Sequence, residues 1–213
     1  MRQILQDYLE ISKQPLRKEK NRQYKIWFET NYEDLPNFDD LIVFFASSDK
    51  SYFLMNKLLF PMLDEELFDK QNRVACRFIF TNDLAEAYAD YRFKKHNIPE
   101  NDVLTLAQKL IPNSPELLEY SYQLLQNYFA FAFHEIPSGI LHGMNGATVD
   151  EAKEGLHALE EYTEISKQLG YLEENQEAIT QMKTYYHQWI NYLKMNDSSI
   201  PFSEYTKSPK KGL

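Results

Sequence analysis

Glu154 and His157 have a spacing found in helical metal sites, with a carboxylate and an imidazole three residues apart on one helix face. Asp150 and Glu161 extend that face, because steps of three and four residues return to the same side of a helix. A di-iron bundle needs two such Glu-x-x-His motifs and two further glutamates, and this sequence has one motif. The stripe is thus a candidate metal site, although we expect no metal or other cofactor. A metal-dependent helical enzyme centred on Glu154 and His157 is the alternative function.

The stripe belongs to residues 133–157, which contain three of the five histidines and four of the six glycines. A glycine-spaced loop before a helix N-terminus suits an anion, but the GK[ST] of a phosphate-binding loop is missing. We also find no G-x-S-x-G or H-E-x-x-H, and we expect the single cysteine, Cys76, to be buried and inert. The segment 135–148 is therefore predicted to be a long connection between two helices. A candidate interaction surface is formed by this connection and the helix after it, and it comprises His142, Asn145, Asp150, Glu154 and Glu161.

The elements that position these residues are predicted to be helices. Apolar residues recur every three or four positions, and Ser114–Pro115, Thr148 with Glu151, and Gly170 are typical helix start and stop signals. We therefore predict an all-α fold, a compact bundle or irregular array of roughly seven to nine helices. A single domain is expected over 1–195, followed by a C-terminal tail over 196–213.

Several helix boundaries are predicted from the same pattern. One helix should open at Asp49 or Ser51 and end near Phe60–Pro61, because proline stops helices. Residues 64–80 and 82–95 are expected to be helical, either as two helices or as one kinked helix. The apolar run LIVFFA (41–46) fits a helix or a buried strand, and we predict a helix because no partner strand presents itself. The very apolar helix from Ser114–Pro115 to His134 is expected to be the most buried.

An internal similarity links two of these helices. Residues 8–14 and 162–168 share the pattern Y-x-E-I-S-K-Q, and Leu5 matches Leu159 in the same register. A duplicated helix pair would explain the match. Ordinary reuse of amphipathic helix residues would explain it equally well, since no regular repeat period is present.

Charge and composition limit the classes of partner. The formal net charge of −9 argues against non-specific nucleic-acid binding and favours a basic protein partner. Residues 17–25 form a basic run, which we interpret as a solvated helix face. The N-terminus has no apolar signal region and the longest apolar run is LIVFFA, so we expect no membrane association and a cytoplasmic location.

These features together predict a non-enzymatic, acidic, intracellular protein that acts by binding another protein. An inhibitor or immunity-type protein directed against a basic toxin or enzyme would fit the size, the charge and the missing catalytic motifs. A homo-oligomer is compatible with the high aromatic content of 15%.

Overall fold

The computed structural model describes residues 3–47, 52–99, 102–142, 146–195 and 200–207. These residues form helices and connections without a strand, which confirms the all-α prediction and the helical state of LIVFFA. Eleven helices are present in the described ranges, more than the seven to nine predicted, and one of them lies in the predicted tail. The chain divides into two compact units, Met1–Leu117 and Leu118–Leu213, and the single domain over 1–195 stays a prediction.

The first unit contains seven helices and the beginning of an eighth. They are α1 (Gln3–Ser12), α2 (Arg17–Thr30), α3 (Phe38–Ser47), α4 (52–69), α5 (Arg73–Thr81), α6 (Ala85–His96) and α7 (Asp102–Leu110). Helix α8 (Pro115–Phe133) continues into the second unit, which adds α9 (Val149–Leu169), α10 (Leu172–Met195) and α11 (Phe202–Tyr205). Short 3₁₀ turns cover Tyr32–Asp34 and Ile136–Ser138.

Helix α4 passes through Pro61, so the predicted end near Phe60–Pro61 is wrong. The helix contains two π-helical segments, Met55–Leu59 and Glu65–Asp69. The backbone N–H of Phe60 donates to the Met55 carbonyl, which closes the first π segment, and the next α-helical segment starts at Phe60. Pro61 therefore occupies a first helical turn, where the missing N–H costs little.

A single helix over 64–80 is also not observed, because the backbone turns after α4. Gln71 adopts a left-handed conformation with φ of 51°, and the Asn72 side chain accepts from the Val74 N–H at 2.9 Å to begin α5. Asp83, again with φ of 51°, separates α5 from α6. The break at Gln71 thus divides the predicted helix over 64–80, whereas the break at Asp83 agrees with the predicted alternative of separate helices over 64–80 and 82–95. Cys76 is buried in α5, and burial raises the pKa of its thiol to about 11, as expected for an inert cysteine.

Aromatic rings hold α1 and α2 together in the first unit. Tyr8 and Tyr24 stack with their centroids 4.5 Å apart, and the Trp27 ring meets Tyr8 edge-on. The Trp27 Nε1–H donates to the Ile4 carbonyl at 3.0 Å. The buried rings therefore find both packing and hydrogen-bond partners, which fixes the register of the two helices.

The second unit is built around the antiparallel pair of α9 and α10. Gly170, with φ of 80°, ends α9 as predicted, and the next residue donates to the Ser166 carbonyl at 2.7 Å. The predicted capping box is confirmed, since the Glu151 N–H donates to Thr148 Oγ1 and the Thr148 N–H donates to Glu151 Oε2. The tail docks within the described range 200–207, where Phe202 lies edge-on to Trp189 with their centroids 4.7 Å apart.

Candidate functional site

The acidic stripe lies on the exposed face of α9. Asp150, Glu154, His157 and Glu161 are all exposed, whereas Ala152 and Leu159 on the other face are buried. The helical periodicity had predicted this arrangement, because the apolar residues of α9 centre opposite the acidic ones. The stripe is therefore available to a partner in solution.

The structure does not gather the stripe into a ligand cluster. The His157 side chain is 86% exposed, and its Nδ1 lies 3.6 Å from Glu160 Oε2, on its own helix. Asp150 accepts from Lys153 Nζ at 2.8 Å. Among the residues that the structure describes, no three His, Cys, Asp or Glu side chains form a group that could hold a metal ion.

The carboxylates at the start of α9 are held in their charged form. The hydrogen bond from Lys153 lowers the pKa of Asp150, and the bonds from Thr148 in the capping box lower the pKa of Glu151. Both groups also benefit from the partial positive charge of the helix N-terminus. The first turns of α9 thus present a persistently negative surface at neutral pH.

Helix α8 exposes large apolar side chains on its outer face. Phe131 is 66% exposed and Leu124 is 41% exposed, seven residues apart and so on one side of the helix. The opposite side carries Tyr122 and Phe129, which pack on Tyr162 of α9. The prediction that this would be the most buried helix is therefore wrong, because its apolar residues encircle the helix and only one side is covered.

Tyr128 connects this apolar face to the acidic one. It lies three residues before Phe131 on α8 and is half-buried. Burial raises the pKa of the Tyr128 hydroxyl, a hydrogen bond with Tyr186 partly opposes this, and the negative charges of Glu154 and Glu151 raise the pKa further. Leu124 and Phe131 flank Tyr128 at helical spacing on α8, and Tyr128 lies in the electrostatic field of Glu151 and Glu154 on α9. We call these five residues the mixed patch. Sequence reasoning found its acidic half and missed its apolar half.

The connection between α8 and α9 is anchored by His142. Its Nε2 lies 2.8 Å from the hydroxyl of Tyr186 on α10, and its backbone N–H donates to the Ala132 carbonyl at 2.9 Å. His142 has a φ of 62°, which is uncommon for a residue other than glycine, and its neighbour Leu141 is fully buried. His142 was predicted for the interaction surface, but it is half-buried and its ring faces Tyr186. Asn145, from the same prediction, lies outside the described residues.

A glycine in the middle of α9 makes room for Tyr186. A Cβ atom placed on Gly155 would lie 2.4 Å from the Tyr186 hydroxyl oxygen and ring, far closer than van der Waals contact. Tyr186 is fully buried, so its ring cannot move into solvent. The sequence carried a signal for this contact, since an isolated glycine within a helical pattern often has a packing reason.

The His142–Tyr186 pair is uncharged at neutral pH. Burial lowers the pKa of His142, with partial opposition from the charge of Glu151, and burial raises the pKa of Tyr186. The neutral His142 ring and the Tyr186 hydroxyl share one hydrogen bond between Nε2 and the hydroxyl oxygen, and the tautomer of the ring determines which of the two donates. This uncharged pair anchors the connection between α8 and α9 to α10.

The uncharged His142–Tyr186 pair should make the free energy of unfolding depend on pH. The folded-state pKa of His142 lies below its ordinary 6.5, so the unfolded chain binds more protons as the pH falls below that value. The stability that the lowered pKa of His142 contributes is fully present above about pH 6.5 and is lost as the pH falls towards the folded-state pKa. We expect His142→Gln to flatten the fall in unfolding free energy between about pH 7.5 and 5.5, and exposed His157→Gln to leave it unchanged. Urea unfolding across this range measures both, and equal slopes for His142→Gln and the parent would contradict the assignment.

Comparison with known proteins adds no functional residue to this picture. No family model, curated protein or solved structure matches this chain. Within the described residues, every helix is either too short or too polar to cross a membrane. The site must therefore be interpreted from its own geometry.

Proposed function

We propose that this chain acts without catalysis, by binding a basic protein through the mixed patch. The observation that carries the proposal is the exposure of Phe131, which is 66% accessible and lies three residues along α8 from Tyr128, whose hydroxyl is in the electrostatic field of Glu151 and Glu154. Large exposed apolar side chains bordered by polar residues are typical of protein-binding surfaces. The partner expected for such a surface offers an apolar pocket surrounded by lysine or arginine.

The two halves of the mixed patch would contribute in different ways. Phe131 and Leu124 supply apolar area, and a buried aromatic side chain often carries a large part of the binding energy. Glu151 and Glu154 supply negative potential, which speeds the encounter with a basic partner and selects against acidic ones. Glu161 extends this potential along the exposed face of α9.

An inhibitor or immunity-type role against a basic toxin or enzyme is the specific form of this proposal. The net charge of −9 complements such a target, and inhibition needs a binding surface rather than a catalytic centre. The alternative, a metal-dependent enzyme at Glu154 and His157, gains no support from the observed geometry, because the His157 ring lies beside Glu160 on the surface of its own helix.

Matched variants test the proposal. Phe131→Ser removes the apolar anchor, and Met195→Ser is its control at another exposed apolar residue. Glu154→Lys with Glu161→Lys reverses the stripe, and Glu173→Lys with Glu177→Lys makes the same charge change at exposed positions on α10. The parent and each variant are used to capture proteins from an extract of the source cells. The affinity and the association rate between each variant and the captured protein are then measured.

We expect the parent and both controls to capture one basic protein, and both patch variants to bind that protein measurably more weakly. Phe131→Ser should weaken binding by about 2 kcal/mol or more. The double reversal should slow association by about tenfold and flatten its salt dependence. Equal capture by patch variants and controls would contradict the proposal. So would a self-associated chain that Phe131→Ser converts to monomers, because the occupant would then be a second copy.

A further inference from the structure

A large cleft in the first unit has a charge opposite to that of the whole chain. It has a volume of about 1580 Å³ and is lined by α1, α2 and the first turns of α4. Common small-molecule sites have volumes of roughly 300–1,000 Å³, so the space is ample. The ionised residues that line it are five basic ones (Lys13, Arg17, Lys20, Lys25 and Lys57) and two acidic ones (Glu10 and Glu29). An otherwise acidic protein therefore contains a cationic cleft.

The two acidic side chains are already neutralised by neighbours. Lys13 Nζ lies 2.6 Å from Glu10, and Lys25 Nζ lies 3.8 Å from Glu29. In the described part of the chain, no carboxylate pairs with the remaining three cations, which are Arg17, Lys20 and Lys57. The cleft thus has an excess of three positive charges to offer an anion.

Helix α2 separates its basic residues between two faces. Arg17, Lys20 and Lys25 line the cleft, and Lys18 and Arg22 do not. Arg22 instead binds Glu19 on its own helix, at 2.6 Å. Part of the basic run that we interpreted as a solvated face therefore has a concave surface in front of it.

The wall of the cleft is aromatic rather than aliphatic. Tyr24 stacks on Tyr8 on one side and on Phe53 on the other, with 5.3 Å between the Tyr24 and Phe53 centroids. Phe28 meets the Phe53 ring edge-on at 6.3 Å. Phe28 and Phe53 are half-buried, so part of each ring is accessible. Aromatic walls suit a flat ring better than a flexible acyl chain.

The N-terminus of α2 reinforces the attraction for an anion, and an irregular helical segment also lines the cleft. Helix α2 begins at Arg17 beside Pro15 on the cleft wall, and among the described residues no side chain caps its first turn. The partial positive charge of that helix end adds to the cations. On the other side, Asn56 and Lys57 belong to the π-helical segment Met55–Leu59, and such segments frequently occur at functional sites.

We infer that this cleft binds a nucleoside phosphate. Its phosphate groups meet Arg17, Lys20 and Lys57, and the planar arginine fork matches two phosphate oxygens at once. The base lies against the half-buried Phe28 and Phe53, and the Asn21 amide on the cleft wall offers a donor and an acceptor to the base or sugar. This site uses other residues and another unit than the mixed patch, so it goes beyond the proposed function and does not depend on it.

Isothermal titration of the full chain with ATP tests the site. We expect one ATP per chain, with binding that weakens as salt rises because the attraction is electrostatic. Lys20→Glu and Lys57→Glu should each weaken binding by about tenfold or more, since each removes a charged contact and adds a repulsion. Lys18→Glu is the matched control, because it makes the same change on α2 outside the cleft, and we expect it to change the affinity by less than about twofold.

Three other ligands identify the chemistry that is recognised. Inorganic triphosphate tests the cations alone, adenosine tests the aromatic wall alone, and palmitate tests an acyl-chain ligand. We expect each to bind at least about tenfold more weakly than ATP, because triphosphate lacks the base, adenosine lacks the phosphates and palmitate lacks both. Triphosphate binding as tight as that of ATP, or palmitate binding without ATP binding, would overturn the assignment to a nucleoside phosphate.

The variants also separate a real site from general electrostatics. An equal loss of ATP affinity in Lys18→Glu and Lys20→Glu would overturn the inference, as would the absence of ATP binding to the parent. Circular dichroism and thermal melting establish that each variant is folded before titration. Arg17→Glu, at an exposed residue of the same cleft, replaces any variant that does not fold, with the same expected loss.

Discussion

Gly155→Ala is expected to destabilise the second unit by about 2–3 kcal/mol, the cost of overpacking a tight interior. At an ordinary helical position the same change stabilises by up to about 1 kcal/mol, so the expected sign is reversed here. The reason is the Tyr186 ring, which lies 2.4 Å from the place that the new methyl group would occupy. Tyr186 is fully buried and hydrogen-bonded to His142, so neither it nor α9 has room to shift without losing contacts.

Urea unfolding of two further variants isolates this contact. Gly170→Ala adds a methyl group where nothing lies within 4 Å, and only its left-handed φ should cost stability, about 1 kcal/mol. Tyr186→Leu shortens the opposing side chain, so the double variant with Gly155→Ala should be more stable than the sum of the single changes by at least about 1 kcal/mol. A gain in stability for Gly155→Ala alone would show that the two helices are not in close contact.

Helix ends with a local chemical cause could be predicted from the sequence. Thr148 and Glu151 form a capping box within four residues, and Gly170 supplies the left-handed conformation that ends α9. Ser114 similarly begins α8, where its Oγ accepts from the Leu117 N–H at 3.3 Å. Each of these signals acts between near neighbours, so no knowledge of the tertiary structure is required.

The boundaries that failed depend on backbone geometry that side-chain patterns do not specify. The π-helical segment Met55–Leu59 shifts the hydrogen-bond register and lets α4 continue through Pro61. The left-handed conformation at Gln71 allows the chain to turn after α4 without a glycine or proline at that position. Residue types at these two places favoured other outcomes, so the predicted boundaries near residues 61 and 71 were misplaced.

The internal similarity also has a limited structural meaning. Tyr8 and Tyr162 are both buried and both stack on another tyrosine, at 4.5 Å and 5.2 Å. Tyr8 stacks on Tyr24 from the following helix, whereas Tyr162 stacks on Tyr122 from the preceding one. The equivalent of Tyr24 in the second copy is Ala178, which is exposed. The shared residues thus suit similar helix faces, and their packing partners are not repeated.

The exposure of a candidate surface could be predicted from the sequence only where it depends on the residue pattern of a single helix. The exposure of Glu154 and Glu161 follows from the periodicity of α9, because its apolar residues occupy the other side. The exposure of Phe131 does not follow from α8, since its apolar residues surround the helix and neighbouring helices determine which side is covered. The cationic cleft needs α1, α2 and α4 together, so a pattern along the sequence cannot reveal it.

Arg92→Met is expected to destabilise the first unit by about 3 kcal/mol, as is usual when one member of a buried ion pair is removed. Arg92 is 6% exposed, and its two terminal nitrogens bind Asp64 at 2.5 Å and Asp102 at 3.0 Å. Its guanidinium also lies over the Phe68 ring, 3.5 Å from the centroid. One side chain therefore joins α4, α6 and α7, and methionine replaces its volume but not its charge.

The cost should come mainly from the carboxylate that is left behind. Asp64, with a side chain 22% exposed, still accepts from the Tyr88 hydroxyl at 2.7 Å and still lies 3.1 Å from His96 Nε2, but it has lost the arginine. Asp64→Asn combined with Arg92→Met removes that stranded charge and keeps an acceptor for Tyr88, so it should be more stable than Arg92→Met alone. Asp102→Asn should cost about 1 kcal/mol or less, because that carboxylate is more solvated, at 36% exposure. Urea midpoints at neutral pH rank the three variants. A loss of unfolding free energy below about 1 kcal/mol for Arg92→Met would show that water replaces the arginine and that the network does not hold the three helices together.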